Sequence, residues 1–503
     1  MADSHRRTSM ATELEGTLLI SGSLFPYFLL VALEAGGPLR ALALLAVYPL
    51  AALLGAAFFS DELPLLAMTF LSTAGLPAAD VAAVARATLP RFFLADLRAT
   101  AFRAMARNAT GERLVVTRLP RLLAEPFVRE FLGDDVILSG AELRVFGTRL
   151  TGTVTSPPGI AGTLVAVLRG RDKIVDVGLC CAGDQPEFLL LCQERRVVSS
   201  PEKTPSPATP LPRSEYPKPL VFHDGRLVRR PEPVTCLAIL LWVPLGVVLS
   251  VTRLLLGFLP HGAGLLIAAA TGFQIRADLA GAASPATRGG HRRRRGTLFA
   301  CNHQTLMDPV ILSTVLRRKV TAVTYSLSSF SELIAPIPTV RLTRDRRRDS
   351  SIMEAELTRG DLVVCPEGTT CREAYLLRFS PLFAEIAAGG DVTPTAVRAG
   401  GEMFHGSTVR GYKWLDSVFF LMNPSPWYEI RLLVPVATAG DGGDGGVSSR
   451  DVANSVQKMI GDELGFECTG LTRRDKYRMI AGHDGVDARS SPALERKEDA
   501  RNA

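Results

Sequence analysis

The chain has 503 residues, 47% of them hydrophobic and 21% charged, with a net charge of +7 and a mean hydropathy of +0.19. That length allows two or more domains with full cores. The hydropathy is high for a wholly soluble protein and the charge too dense for a polytopic transporter, which leaves folded lobes tied to a membrane by a few apolar segments.

The first twenty residues carry Arg6, Arg7, Glu13 and Glu15 and no apolar core, so no cleavable secretory signal is expected. Residues 12–19 read TELEGTLL, an acidic pair followed by a Gly-Thr turn. This stretch resembles the Asp-x-Asp-Gly-Thr opening loop of haloacid-dehalogenase-type phosphatases, with both acids, Glu13 and Glu15, one methylene too long. Residues 41–59 carry no charge and suit either a membrane helix or a buried cap helix. An α/β pattern follows: strands over 113–117, 135–145 and 163–168, and a helix over 120–131 that Pro126 is expected to kink. Residues 201–219 are rich in Pro, Ser and Thr, the composition of a linker, and the domain boundary is placed there.

Two further apolar stretches, 234–252 and 254–275, are flanked by Arg229, Arg230 and Arg253 and interrupted by Pro260-His261-Gly262. They suit a pair of spanning helices or one re-entrant hairpin; the hairpin keeps the basic flanks on the cytoplasmic side. Pro49, Pro244 and Pro260 argue against straight helices. The run from His291 to Arg295 is either a solvated loop or a contact to anionic headgroups. No aromatic residues are interleaved with its arginines, so nucleic acid is not an expected partner. Beyond it the α/β pattern resumes, with strands over 297–300, 319–324 and 362–365 and helices over 309–315 and 382–388. The charged end of the chain reads as disordered. The organisation expected is therefore a domain over 10–198, a linker over 199–220, membrane-associated segments over 234–275, a second domain over 296–482 and a tail over 483–503. Eight scattered cysteines without Cys-x-x-Cys spacing suit thiols in a reducing compartment.

The chemistry concentrates in Cys301-Asn302-His303-Gln304-Thr305-Leu306-Met307-Asp308-Pro309. Residues five apart on a helix point to different sides, so His303 and Asp308 meet only if the histidine lies in a loop and the aspartate opens the following helix. Asp308-Pro309 suits such a start. A carboxylate on one imidazole nitrogen leaves the other as a base near neutral pH. No serine stands beside it, so the base is expected to deprotonate a substrate hydroxyl that then attacks an activated acyl group. Three later stretches add to this one. Arg341 and Arg344 follow an apolar strand in IPTVRLTR. Glu367, Gly368, Thr369 and Arg372 follow another in CPEGTTCR, and LLVPV closes the series. Guanidinium groups and a Gly-Thr turn are what a phosphate monoester needs.

In this order the four stretches resemble the blocks of the glycerolipid acyltransferases. The resemblance implies that His303 is the catalytic base and Asp308 its partner. It also implies that Arg341, Arg344, Glu367, Gly368, Thr369 and Arg372 hold the phosphate end of the substrate; Gln304 stands where an arginine is common. The wider text, including PEGTTCREAYLLRFSPLFAEI, FHDGRLVRRPEP and ELGFECTGLTRRDKY, resembles the land-plant extracellular-lipid glycerol-3-phosphate acyltransferases. These join an N-terminal haloacid-dehalogenase-like domain to a C-terminal acyltransferase domain. The implied fold is α/β: a Rossmann-like N-terminal domain, a hydrophobic membrane hairpin and an α/β acyltransferase domain. The implied reaction moves an acyl group from acyl-CoA to glycerol 3-phosphate, often at sn-2, at the endoplasmic reticulum; a mitochondrial membrane is the alternative. The product would feed cutin, suberin and pollen-wall lipids. Acylation of a lysophospholipid and a non-catalytic membrane scaffold are the competing readings.

In the N-terminal domain, Thr117 keeps a hydroxyl where the resemblance places phosphate. The family's Gly-Asp-x-x-x-Asp metal motif is disturbed, because Gly183-Asp184 is followed by Glu187 one position early and by Phe188 where the second Asp belongs. Displacing a reacting carboxylate by about 1 Å can cost roughly a hundredfold. A weak Mg²⁺ site, no phosphatase activity of consequence and no cofactor beyond the acyl-CoA co-substrate are expected.

Overall fold

The computed structural model describes residues 8–58, 62–108, 111–155, 175–181, 187–198, 209–283, 296–325, 332, 335–387, 390–438 and 448–484. The expected strand at 163–168, Asp184 and the basic run 291–295 lie outside them. The chain forms two compact units, Met1–Gly225 with Arg230–Leu237, and Arg226–Arg229 with Ala238–Ala503.

In the first unit, β1 (Met10–Glu13), β2 (Arg113–Val116), β3 (Val136–Ser139), β6 (Val175–Cys181) and β7 (Cys192–Val198) form a parallel sheet ordered β3-β2-β1-β6-β7. A parallel sheet is covered on both faces, which is why its inner strands read as apolar runs. Ala11, Leu114, Val116, Val175, Cys180 and Phe188 share one core cluster. The strand expected over 135–145 is two strands, β3 and β4 (Leu143–Phe146), and β4 pairs with β5 (Arg149–Val154) as a hairpin. The break falls at Gly140, where a Cβ would stand 2.8 Å from Thr117 Cγ2. β1 lies between β2 and β6, so its C-terminal end opens where the strand order reverses, the usual place for a site in such sheets.

In the second unit, β8 (Gln274–Asp278), β9 (Leu298–Cys301), β10 (Thr321–Thr324), β11 (Thr339–Arg341), β12 (Leu362–Val364), β14 (Asp391–Gly400) and β15 (Trp427–Leu432) run in the order β11-β10-β12-β9-β14-β15-β8. Only the β14–β15 step on this path is antiparallel. β16 (Val436–Ala437) adds to β14, and β13 (Tyr375–Leu376) pairs with β17 (Glu467–Cys468). One core cluster gathers Leu298, Ala300, Leu362, Phe383 and Val456, and another gathers Phe299, Ile311, Val363, Phe420 and Tyr428. The two clusters draw on alternate residues of β9 and β12, as the period of a strand requires.

The apolar stretches form helices, and Pro49 and Pro244 lie inside them rather than ending them. Pro38–Ala57 and Pro233–Phe258 are long and apolar enough to cross a bilayer, with mean hydropathies of 1.9 and 2.5. Leu39, Leu50 and Leu53 are exposed on the first, and Leu241, Val248 and Leu255 on the second. The stretch after Pro260 is only the 10-residue helix His261–Ala270. At about 1.5 Å per residue it spans roughly half a hydrocarbon core. The pair of full spans considered for 234–275 is therefore one long helix and one short one.

Candidate active site

β9 ends at Cys301 and releases Asn302 and His303 at the C-terminal edge of the sheet. Asn302 is fully buried; its side chain donates to the Val397 carbonyl at 2.8 Å and accepts from the Val397 N–H at 2.7 Å, which fixes the chain as it leaves the strand. Asp308 opens the helix Asp308–Leu316, with Pro309 next. His303 Nδ1 lies 2.9 Å from Asp308 Oδ2. The same carboxylate accepts from the N–H of Gln304 at 2.7 Å and of Thr305 at 3.1 Å, from Thr305 Oγ1 at 3.2 Å and from the Tyr428 hydroxyl at 2.9 Å. With Asp308 fully buried, these donors fix its carboxyl group in place. A carboxylate oxygen accepts, so this bond places a ring proton on Nδ1 and leaves Nε2 as the nitrogen that can exchange one.

β12 runs beside β9 with Val364 opposite Ala300. This register brings the next block to the histidine across 64 residues of chain. Cys365 Sγ lies 3.3 Å from Cys301 Sγ. Burial opposes charge on the His303 ring, but the Cys365 sulfur and the Asp308 carboxylate outweigh it and hold the imidazole above its ordinary value. Cys365 is itself pushed well up by its hydrogen bond to Cys301 and by burial. Glu367 points inward: Oε1 accepts from the His303 N–H at 2.7 Å and Oε2 from the Leu377 N–H at 3.0 Å. Burial pushes its carboxyl up to about 7. These two hydrogen bonds brace the histidine loop.

Gly368 takes φ +67, which favours glycine, and turns the chain into Thr369 and Thr370. Cys371 N–H donates to the His303 carbonyl at 2.8 Å, and Gln304 Nε2 donates to the Cys371 carbonyl at 2.9 Å. A cavity of about 490 Å³ lies over this arrangement, with His303, Gly368 and Thr369 in its wall. Leu254, Leu265, Phe273, Leu306 and Ile337 line it with apolar surface, while Lys413, Arg473 and Lys476 line it with charge.

Arg341, Arg344 and Arg372 are not among the lining residues. Arg341 pairs with Glu332 at 2.9 Å. Arg344 is exposed at φ +69, its N–H held by Asp349 Oδ2 at 2.9 Å. Arg372 bonds Ser407, through Nε to the hydroxyl at 3.2 Å and through Nη2 to the carbonyl. Sequence reading passed over Tyr428, Thr305, Lys413, Arg473 and Lys476 as site residues. Tyr428 reaches Asp308 across 120 positions, and nothing in its local sequence marks it.

In the first unit, β1 ends at Glu13 and turns through Leu14–Leu18, with Gly16 at φ +76. Glu15 is 2% exposed. Its carboxylate accepts from the Thr117 hydroxyl, from the Arg118 N–H at 3.2 Å and from the Leu119 N–H at 3.4 Å. Glu13 lies 3.5 Å from Arg118 Nε. Phe188 is fully buried in the core. Glu13, Glu15 and Thr117 thus meet at one edge of the sheet, and the Glu15 carboxylate sits among the donors offered there.

The geometry describes an α/β lobe with a His-Asp dyad, preceded in the chain by a Rossmann-like unit. Residues 9–198 match the profile described as "Glycerol-3-phosphate acyltransferase RAM2-like, HAD-like domain", and residues 287–398 match the acyltransferase profile. Glycerol-3-phosphate acyltransferase RAM2 of Petunia hybrida is 41% identical over 481 residues, 94% of this chain and 97% of that one. Probable glycerol-3-phosphate acyltransferase 2 of Arabidopsis thaliana is 41% identical over 491 residues, covering 94% and 88%. Glycerol-3-phosphate acyltransferase 1 of the same plant is 40% identical over 507 residues, covering 97% and 83%. The chain belongs to the plant glycerol-3-phosphate acyltransferase family and is an acyltransferase.

Proposed function

We propose that this enzyme transfers an acyl group from acyl-CoA to a hydroxyl of glycerol 3-phosphate and releases lysophosphatidic acid with its phosphate intact. His303 Nε2 takes the hydroxyl proton as the oxygen attacks the thioester carbonyl. The tetrahedral adduct then collapses, the C–S bond breaks, and the leaving CoA sulfur receives the proton from His303. Asp308 holds the ring in the productive tautomer and stabilises the transient imidazolium. The observation that carries the reading is the 2.9 Å His303–Asp308 bond in the wall of a cavity that also offers the Gly368-Thr369 turn and a long apolar lining. Sn-2 regiochemistry and supply of extracellular polyesters are part of the proposal and rest on the family resemblance. A membrane location is supported by the two apolar helices, and its assignment to the endoplasmic reticulum rests on the family resemblance.

The N-terminal unit is proposed to be inactive as a phosphatase. Glu15 already fills the donors that an incoming phosphate would need, Glu13 faces Arg118, and the apolar Phe188 is buried in the core of the same unit. Among the described residues this set does not fit a divalent cation, which takes several oxygen ligands. The test is acyl transfer to glycerol 3-phosphate by the purified protein, with positional analysis of the product and assay of free phosphate. His303→Ala should abolish lysophosphatidic acid formation; undiminished product from that variant, or phosphate release abolished by Glu13→Ala, refutes the reading.

A further inference from the structure

Besides Arg253, Arg317, Arg318 and Lys319, three further cations line the cavity wall on segments that lie outside the dyad and Gly-Thr blocks. Arg473 and Lys476 stand on the helix Arg473–Ala481, and Lys413 begins the short turn Lys413–Leu415. Tyr477 ties two of them together. Lys413 Nζ donates to its hydroxyl at 2.6 Å, and the Arg473 guanidinium lies 4.5 Å from its ring centre. Lys476, buried, donates to the Thr370 carbonyl, to Thr370 Oγ1 at 3.2 Å and to Thr369 Oγ1 at 3.4 Å. Thr370 directly precedes Cys371, whose N–H donates to the His303 carbonyl. The cations therefore border the turn that is bonded to the loop of the base.

Asp416 also lines the cavity and is paired with Arg226 at 2.8 Å, while both oxygens of Glu367 are turned to backbone N–H groups. Clustered cations on low-dielectric walls concentrate an anion, and a site built for one discriminates against an acceptor that lacks it.

We propose that Lys413, Arg473 and Lys476 receive the phosphate of the acyl acceptor while its free hydroxyl faces His303, and so set the preference for a phosphate monoester over a neutral alcohol. This rests on the acyl-transfer reading above. The same chemistry would also suit the phosphates of acyl-CoA, and the experiment separates the two sources.

In the full-length enzyme in nanodiscs, Arg473→Gln and Lys413→Gln are each expected to raise the KM for glycerol 3-phosphate about tenfold or more. The KM for acyl-CoA should be unmoved, and kcat/KM for glycerol 3-phosphate should fall relative to that for glycerol. Lys413→Arg should restore most of the loss. Lys476→Met should give the largest effect, with its melting temperature recorded because the position is buried. Equal losses on glycerol and glycerol 3-phosphate, or a rise confined to the acyl-CoA KM, overturn the assignment. Inorganic phosphate distinguishes this failure from failure of the functional reading. It should raise the melting temperature of the wild type more than that of Arg473→Gln, whatever acceptor is acylated. If that difference is seen but the wild type does not acylate glycerol 3-phosphate, the cluster stands and the functional reading falls.

Discussion

Asp308→Asn tests the dyad most directly, because the substitution keeps shape and removes charge. The carboxylate accepts from the His303 ring, two backbone N–H groups, Thr305 Oγ1 and Tyr428 OH. An amide offers one oxygen to these donors and turns an NH₂ toward the rest. A hydrogen bond to a charged group contributes about 1.5–3 kcal/mol. The imidazolium formed during proton transfer also loses its counter-charge, so about 2–4 kcal/mol of transition-state stabilisation should go. At roughly 1.4 kcal/mol per factor of ten, kcat should fall about 30- to 1000-fold. Each donor left unpaired also costs about 1–3 kcal/mol of stability, so circular dichroism must show a folded variant before rates are compared. The pH dependence supplies a second readout. In the wild type the imidazole is held above its ordinary value, so the neutral base, and with it the rate, is lost as pH falls through that raised value. Without Asp308, burial meets less opposition and the acid limb should move to lower pH while the plateau drops. Acyl transfer followed by thiol release from acyl-CoA between pH 5.5 and 9 measures both. A folded variant with an unchanged plateau and an unmoved acid limb would refute the dyad.

Other consequences follow from the same geometry. Glu367 is held at about 7 by burial against an ordinary 4.5, so it costs folding free energy above the unfolded value. Stability should decline by about 3 kcal/mol as pH rises from 4.5 through 7, and Glu367→Gln should remove that slope in urea melts. Gly368→Ala meets no neighbour within 4 Å, so only the strain of φ +67 is at stake. It should cost about 1–2 kcal/mol and weaken acceptor binding, with a melting temperature equal to the wild type counting against the turn. Glu15→Ala should leave the Thr117, Arg118 and Leu119 donors open, destabilise the N-terminal unit and make its melting temperature sensitive to added phosphate. If phosphate has no effect on that variant, Glu15 is not standing in for an anion. Leu241→Asp with Val248→Asp places charges on positions 72% and 60% exposed. At roughly 2.5–3.5 kcal/mol each in a bilayer, they should shift the protein from the membrane pellet to the supernatant, and retention after carbonate extraction would speak against that helix as the anchor.

Much of this protein is legible in one dimension. The apolar runs at 114–116 and 362–364 are strands because a parallel sheet buries both faces, and that pattern is local. The spacing of His303 and Asp308 marks a loop and a helix start because both partners lie within one strand-to-helix connection. The Glu-for-Asp changes at Glu13 and Glu15 are visible directly, since one methylene is a property of the residue. What tertiary structure alone decides is which distant pieces meet. Tyr428 completes the carboxylate's shell because β15 lies two strands from β9. Glu367 turns its carboxylate to the His303 backbone because β12 pairs with β9 in register. The arginines that a motif offers, Arg341, Arg344 and Arg372, lie outside the cavity lining, whereas Lys413, Arg473 and Lys476 from the last hundred residues line it. A sequence records which residues carry charge; only strand order and packing fix which of those charges share a cavity with the base.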